Sequence, residues 1–246
     1  WSDRDGEVLV GQEYSEADDL LHARYLAEVF ADPRYLRVGG RPLLLVYRAS
    51  ALPSAERTAD LFREEALRAG VGEPLLCRVE SDPWRERRRT LGELGFDAAV
   101  EFAPNWLGLG EALRRPRLRR PTRQRPADRI FDYGEVVRQA LAQPEPPDGW
   151  FRCLTPGWDN SPRRDAGAVI FDGSTPELYG SWLEELVRRA VRQPAAEQLV
   201  FVNAWNEWAE GAYLEPDLEL GRAYLEATRA ALLAGAPNVP LPVGAG

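Results

Sequence analysis

Residues Phe201–Asp217, FVNAWNEWAEGAYLEPD, bring four carboxylates, two indoles and two amides into one short stretch that begins in an apolar run. Glu207 and Glu210 are three positions apart, so a helical turn leaving a strand would put both carboxylates on one face. Carboxylates that close disfavour each other's ionisation, which separates their pKa values and leaves one acid and one base near neutrality. Trp205 and Trp208 are placed to supply apolar walls and a stacking surface, and Asn206 to hydrogen-bond a hydroxyl or a carboxylate. Aromatic faces with paired carboxyls suit sugar chemistry: the rings hold a pyranose while the carboxyls protonate the leaving oxygen and stabilise an oxocarbenium-like state. A Glu-x-x-Glu pair also occurs on ordinary solvated helices. Here it follows a strand-like run, sits between two Trp and precedes Gly211, and that context favours the functional reading.

The elements that must position this stretch are legible as short apolar runs alternating with amphipathic ones. Leu43–Tyr47, Leu75–Val79, Ala98–Phe102, Phe151–Thr155 and Leu199–Asn203 have the length of buried strands. Helices are predicted over Ala17–Phe30, Ser54–Ala69, Tyr133–Ala142, Pro176–Val191 (Thr175 as N-cap, Pro176 in the first turn) and Glu219–Ala234. This alternation predicts a parallel α/β protein. A (β/α)8 TIM-type barrel fits best, because polar or aromatic residues stand at the carboxyl ends of the strands, where a barrel builds its chemistry. An open doubly wound sheet is the alternative, weakened by the lack of a glycine-rich phosphate turn after any strand. Five strands make the barrel incomplete, about five of eight βα units, and the missing three are expected upstream of Trp1. One domain is expected over 1–236, with a Pro/Gly-rich tail over 237–246.

The strand-end residues are secondary candidates for contact with substrate. Trp158 and Asp159 either bind a sugar or form a tight Pro-Gly turn capped by Asp159. Tyr47 and Arg48 end a strand on the same side as the glutamates. Glu80 and Glu101 either orient hydroxyls or pair with Arg78 or another arginine. Asn105 accompanies Glu101 at its strand end. Glu215 and Asp217 are read as holding their loop, and His22 as helix packing.

Composition narrows the classes further. The 246 residues are 44% hydrophobic and 28% charged, which is globular, and no apolar run approaches the ~20 residues of a membrane-spanning helix. A net charge of −8 argues against bulk nucleic-acid binding. All 31 basic residues are arginine, and eight of them crowd Arg114–Arg129 with one Asp and three Pro. That segment reads as a solvated loop, or as a contact for phosphate or anionic glycan. It lacks the aromatic interleaving of a single-strand nucleic-acid binder. Cys77 and Cys153 sit in separate strand-like runs without CxxC or His partners, so metal and redox sites are not expected. Two reduced thiols fit a cytoplasmic protein.

Val202–Asp217 resembles the signature of the WbsX family, whose members contain a domain similar to glycoside hydrolase family 99. The likeness rests on Trp-Asn-Glu-Trp-x-Glu-Gly (Trp205–Gly211) and Pro-Gly-Trp-Asp-Asn (Pro156–Asn160). It extends in the same order over Trp1–Gly6, Gly11–Tyr14, Phe30–Tyr35, Gly40–Arg48 and Ser174–Trp182, about Trp1 to Tyr224 in all. The resemblance implies a (β/α)8 barrel acting on an oligosaccharide or polysaccharide, without metal or organic cofactor. It also implies that Glu207 assists attack by the sugar's own 2-hydroxyl and that Glu210 is the general acid/base. WbsX-type proteins are associated with bacterial surface polysaccharide loci and are often labelled glycosyltransferases. Hydrolysis or transglycosylation is favoured here, since no diphosphate site is visible outside the Arg-rich segment. A polysaccharide-assembling transferase and a catalytically silent carbohydrate-binding module are the alternatives.

Overall fold

The computed structural model describes residues 11, 14–81, 89–104, 128–195 and 198–236. Most of the Arg-rich segment, Asn105 and the 237–246 tail therefore lie outside the described residues, as do Trp1–Gly6 and Gln12-Glu13. In chain order the described elements are α1 (Glu16–Phe30), β1 (Arg37–Val38), β2 (Arg41–Tyr47), α2 (Ala55–Arg68), β3 (Leu75–Glu80), β4 (Ala98–Glu101) and β5 (Arg129–Asp132). Then follow α3 (Tyr133–Ala142), β6 (Trp150–Leu154), β7 (Val169–Asp172), α4 (Pro176–Ala190), β8 (Val200–Val202), β9 (Asn206–Glu207), β10 (Ala212–Tyr213) and α5 (Ala223–Gly235).

Each of the five apolar runs becomes a strand of one sheet. Its order is β1-β2-β3-β4-β6-β8, with β2, β3, β4, β6 and β8 parallel and the short β1 antiparallel at one edge. Strand order follows chain order without the reversal that a doubly wound sheet requires, so the carboxyl ends of all five strands line one side in succession. Two small pairings were not visible in the sequence. β5 runs parallel to β7, and β9 pairs with β10 as a hairpin that carries the glutamate motif.

The helices start where local chemistry satisfies their first N–H groups. Ser15 accepts from the Asp18 N–H, Asp132 from that of Glu135, and Thr175 from that of Leu178 with Pro176 in the first turn. Ser54 occupies the N-cap position of α2 without a side-chain cap; Thr58 instead donates to Asp19 of α1 at 2.7 Å and ties the two helices together. The last helix begins at Ala223, four residues later than its apolar pattern suggests. The Asp217 carboxylate accepts the N–H groups of Glu219 and Leu220, and this turn absorbs those residues.

Apolar packing divides into three clusters. Phe30, Leu61, Phe62, Leu76, Leu94 and Phe96 sit under α1 and α2, with His22 edge-on to Phe62 at 5.4 Å. Tyr133, Leu154, Phe171, Tyr179, Trp182 and Leu186 sit under α3, α4 and α5. Val38, Leu43, Cys77, Val100 and Phe151 pack within the sheet. Both cysteines are free thiols, and burial pushes each up to about 12, so neither is a ready nucleophile. Among the described residues no helix is long and apolar enough to cross a membrane.

Candidate active site

Residues at and beyond the carboxyl ends of the five strands enclose a cavity of about 580 Å3. Tyr47 and Arg48 follow from β2, Ser81 from β3 and Phe102 from β4. Trp158, Asn160, Arg163 and Arg164 come after β6, and Asn203, Glu207 and Glu210 after β8. Arg129, Phe131 and Val169 reach it from the β5–β7 pair.

Glu207 ends β9 and is the N-cap of a 3-10 turn, Trp208–Glu210, rather than of an α-helix. The Glu207 and Glu210 carboxylates nonetheless line the cavity and reach the same arginine. Gly211 leaves the turn at φ +60, and a Cβ there would lie 3.1 Å from the Asp159 nitrogen. The missing side chain lets the Asp159 N–H donate to the Glu210 carbonyl at 2.7 Å, which joins the Pro-Gly-Trp-Asp-Asn motif to the glutamate motif.

That first motif positions an arginine. Asp159 accepts from the Ser161 N–H at 2.9 Å and Asn160 from the Val169 N–H at 2.8 Å, which shapes the short turn Ser161–Arg163. From its end the Arg163 guanidinium donates to Glu207 at 3.0 Å and approaches Glu210 at 3.4 Å. Burial pushes the Glu210 carboxyl above the ordinary glutamate value; Arg163 pulls against this, and the neighbouring Glu207 charge adds to it.

The other candidates divide by position. Tyr47, Arg48 and Trp158 line the cavity with the two glutamates. Trp158 is buried and meets Phe102 edge-on at 6.4 Å, and Phe102 also faces Tyr47 at 6.3 Å. Trp205, Asn206 and Trp208 stand on the hairpin outside the cavity lining. Trp208 stacks on Tyr213 at 3.9 Å and donates its indole N–H to Glu215 at 2.7 Å. The aromatic residues lining the cavity are Tyr47, Phe102, Phe131 and Trp158.

Asp159 spends its carboxylate on its own turn. Glu80 is buried against Arg78 at 2.5 Å, and Glu101 pairs with Arg152 at 2.8 Å beside a separate cavity. Arg163, Arg164, Asn160 and Asn203 are cavity residues that sequence reasoning passed over, whereas Arg129 closes the Arg-rich segment read there as a contact for phosphate or anionic glycan. In an arginine-rich chain a further arginine carries no spacing signal, although Arg163 follows the Pro-Gly-Trp-Asp-Asn motif by three positions. Among the described residues no group of three or more His, Cys, Asp or Glu is placed to hold a metal ion.

Comparison with known proteins bears on the fold and the family. A solved glycoside hydrolase family 99 endo-α-mannosidase from Bacteroides thetaiotaomicron superposes with a TM-score of 0.52 at 15% identity, over 92% of this chain and 67% of that one. That likeness establishes an α/β fold of the same kind. Two proteins described as uncharacterized WxcX, from strains B100 and ATCC 33913 of Xanthomonas campestris pv. campestris, are each 41% identical over 240 residues. The match takes in 97% of this chain, which spans about a third of their length (33%). The family model described as Glycosyltransferase WbsX matches residues 1–228, and the chain belongs to that family.

Proposed function

We propose that this chain carries the catalytic site of a glycan-active enzyme of polysaccharide metabolism, in which Glu207 and Glu210 break or transfer a glycosidic bond. One observation carries the reading: both carboxylates open into a cavity with aromatic walls and share one arginine. Burial keeps the Glu210 proton to higher pH than an ordinary glutamate would, which suits an acid that must be protonated at the start of the reaction.

In this mechanism Glu210 gives its proton to the glycosidic oxygen as the bond from the anomeric carbon breaks. The 2-hydroxyl oxygen of the same sugar bonds to the anomeric carbon, and its proton passes to Glu207. Glu210, now ionised, takes a proton from the incoming hydroxyl, which opens the strained intermediate and returns the proton to the 2-oxygen's side through Glu207. Water as the incoming group gives hydrolysis, and a sugar hydroxyl gives transfer. Tyr47, exposed at the cavity, offers ring surface to the sugar, and Arg163 holds the two carboxylates in register. The fold around the site is read as part of a (β/α)8 barrel.

The test is product analysis on the complete protein with a panel of bacterial polysaccharides, alone and with added acceptor oligosaccharide. Turnover that disappears in both Glu207→Gln and Glu210→Gln supports the reading. Full activity in Glu210→Gln overturns it.

A further inference from the structure

The cavity is more basic than the chain that forms it. The protein has a net charge of −8, yet four guanidiniums, Arg48, Arg129, Arg163 and Arg164, line the cavity against the two carboxylates Glu207 and Glu210. They come from separate elements: the end of β2, the start of β5 and the turn after β6. Arg163 is engaged with both glutamates. Arg48 and Arg129 have no carboxylate within ion-pair distance among the described residues. Like charges converging on one concavity repel each other, and an anion placed between them relieves that repulsion.

The backbone at Arg48 points the same way. Arg48 stands at φ +56, ψ +51, a left-handed conformation that glycine or asparagine adopts more readily than a long side chain. An arginine kept in such a conformation at a cavity rim is held there by its surroundings, a pattern that clusters at ligand-binding positions. Its guanidinium lies 5.5 Å over the Tyr47 ring, which orients it beside the aromatic wall.

We propose that Arg48 and Arg129 form an oxyanion-binding subsite, so that the ligand of this cavity is a saccharide bearing a negatively charged group. This rests on the cavity being the glycan site. The shared chemistry is an oxyanion that accepts from a guanidinium fork. It has two sources: the carboxylate of an acidic sugar, or the diphosphate of an activated donor.

The experiment is calorimetric titration of the complete protein with methyl glucuronide, with the uncharged methyl glucoside and with inorganic pyrophosphate, repeated on Arg48→Gln and Arg129→Gln. The uronide is expected to bind about tenfold or more tightly than the glucoside, with that advantage lost in either variant. Arg48→Lys is expected to recover part of it. Thermal melts that match the parent exclude misfolding as the cause. Arginine-dependent binding of pyrophosphate without uronide preference also supports the subsite and assigns it to a donor diphosphate. Equal binding of uronide and glucoside with no arginine-dependent pyrophosphate binding overturns it. Because the readout is binding, a protein that binds anions through Arg48 but turns over no glycan sinks the catalytic reading alone. Glycan turnover by a protein that binds uronide and glucoside equally, with no arginine-dependent pyrophosphate binding, sinks the subsite alone.

Discussion

Arg163 and Glu207 meet at 3.0 Å across 44 residues of chain, and the same guanidinium reaches Glu210 at 3.4 Å. A fork of fixed geometry thus sets the spacing of two carboxylates that would otherwise repel. Arg163→Gln is expected to leave the fold intact and lower turnover about a hundredfold, through misplacement of the pair. Arg163 also pulls the Glu210 carboxyl downward, so its removal moves the alkaline limb of the pH profile to higher pH. Arg163→Lys restores part of the rate, since one ammonium cannot fork to both acids. A rate loss with an unmoved pH profile would reduce Arg163 to a scaffold role.

Replacing either glutamate isosterically separates chemistry from folding. Glu207→Gln and Glu210→Gln are each expected to cost about 10²- to 10⁴-fold in turnover. Circular dichroism and melting temperature should stay close to the parent. Single-turnover assays on the complete protein check this.

The raised Glu210 carboxyl also makes stability depend on pH. The folded state holds this proton to higher pH than the unfolded chain, whose glutamate titrates near 4.5. The contribution is therefore full below that value and is lost as pH rises through the raised native value. Glu210→Gln removes the titration. Its melting temperature should gain on the parent's as pH climbs from about 4 to 7. Parallel melting curves across that range would contradict the assignment.

Gly211 and Gly167 both have positive φ, +60 and +71, but differ in what surrounds them. A Cβ at Gly211 would press on the backbone of Asp159, whereas one at Gly167 meets nothing within 4 Å. Alanine at either should cost about 1–2 kcal/mol for the left-handed backbone, a drop of several degrees in melting temperature. Only Gly211→Ala should also lower turnover, because it pushes on the hydrogen bond between Asp159 and the Glu210 carbonyl.

Trp208 braces the hairpin rather than the cavity. Trp208→Phe keeps the stack on Tyr213 and loses the hydrogen bond to Glu215, a loss of about 1 kcal/mol. Trp208→Ala forfeits both, adding about 0.5–1.5 kcal/mol for the stack beyond its buried area. Neither change should weaken saccharide binding as much as Tyr47→Ala, whose ring lines the cavity. Titration with a bound saccharide compares the three.

The sequence by itself determined the α/β architecture and the central strands. Runs such as LLLVY at Leu43–Tyr47 have the length and apolar make-up of a parallel-sheet strand, and β2 extends that run by only two residues. It also determined where most helices begin, because Ser15 and Thr175 cap within three residues of themselves. The short β5 and β7, RIFD and VIFD, stayed hidden: four residues carry too little periodicity to separate a strand from a loop. The glutamate pair was legible because its two members are neighbours in the chain.

Only the tertiary structure decided what those glutamates face. Trp205 and Trp208 flank Glu207 in sequence, yet neither is among the residues that line the cavity. Its aromatic walls come instead from Tyr47, Phe102, Phe131 and Trp158, spread over more than a hundred residues. Arg163 and the pairings of Glu80 and Glu101 were settled in the same way, by sheet order and loop packing. Local pattern encodes a strand or a cap because the interacting groups are near in the chain. A site is assembled from groups distant in the chain, and their approach is set by how the strands line up side by side.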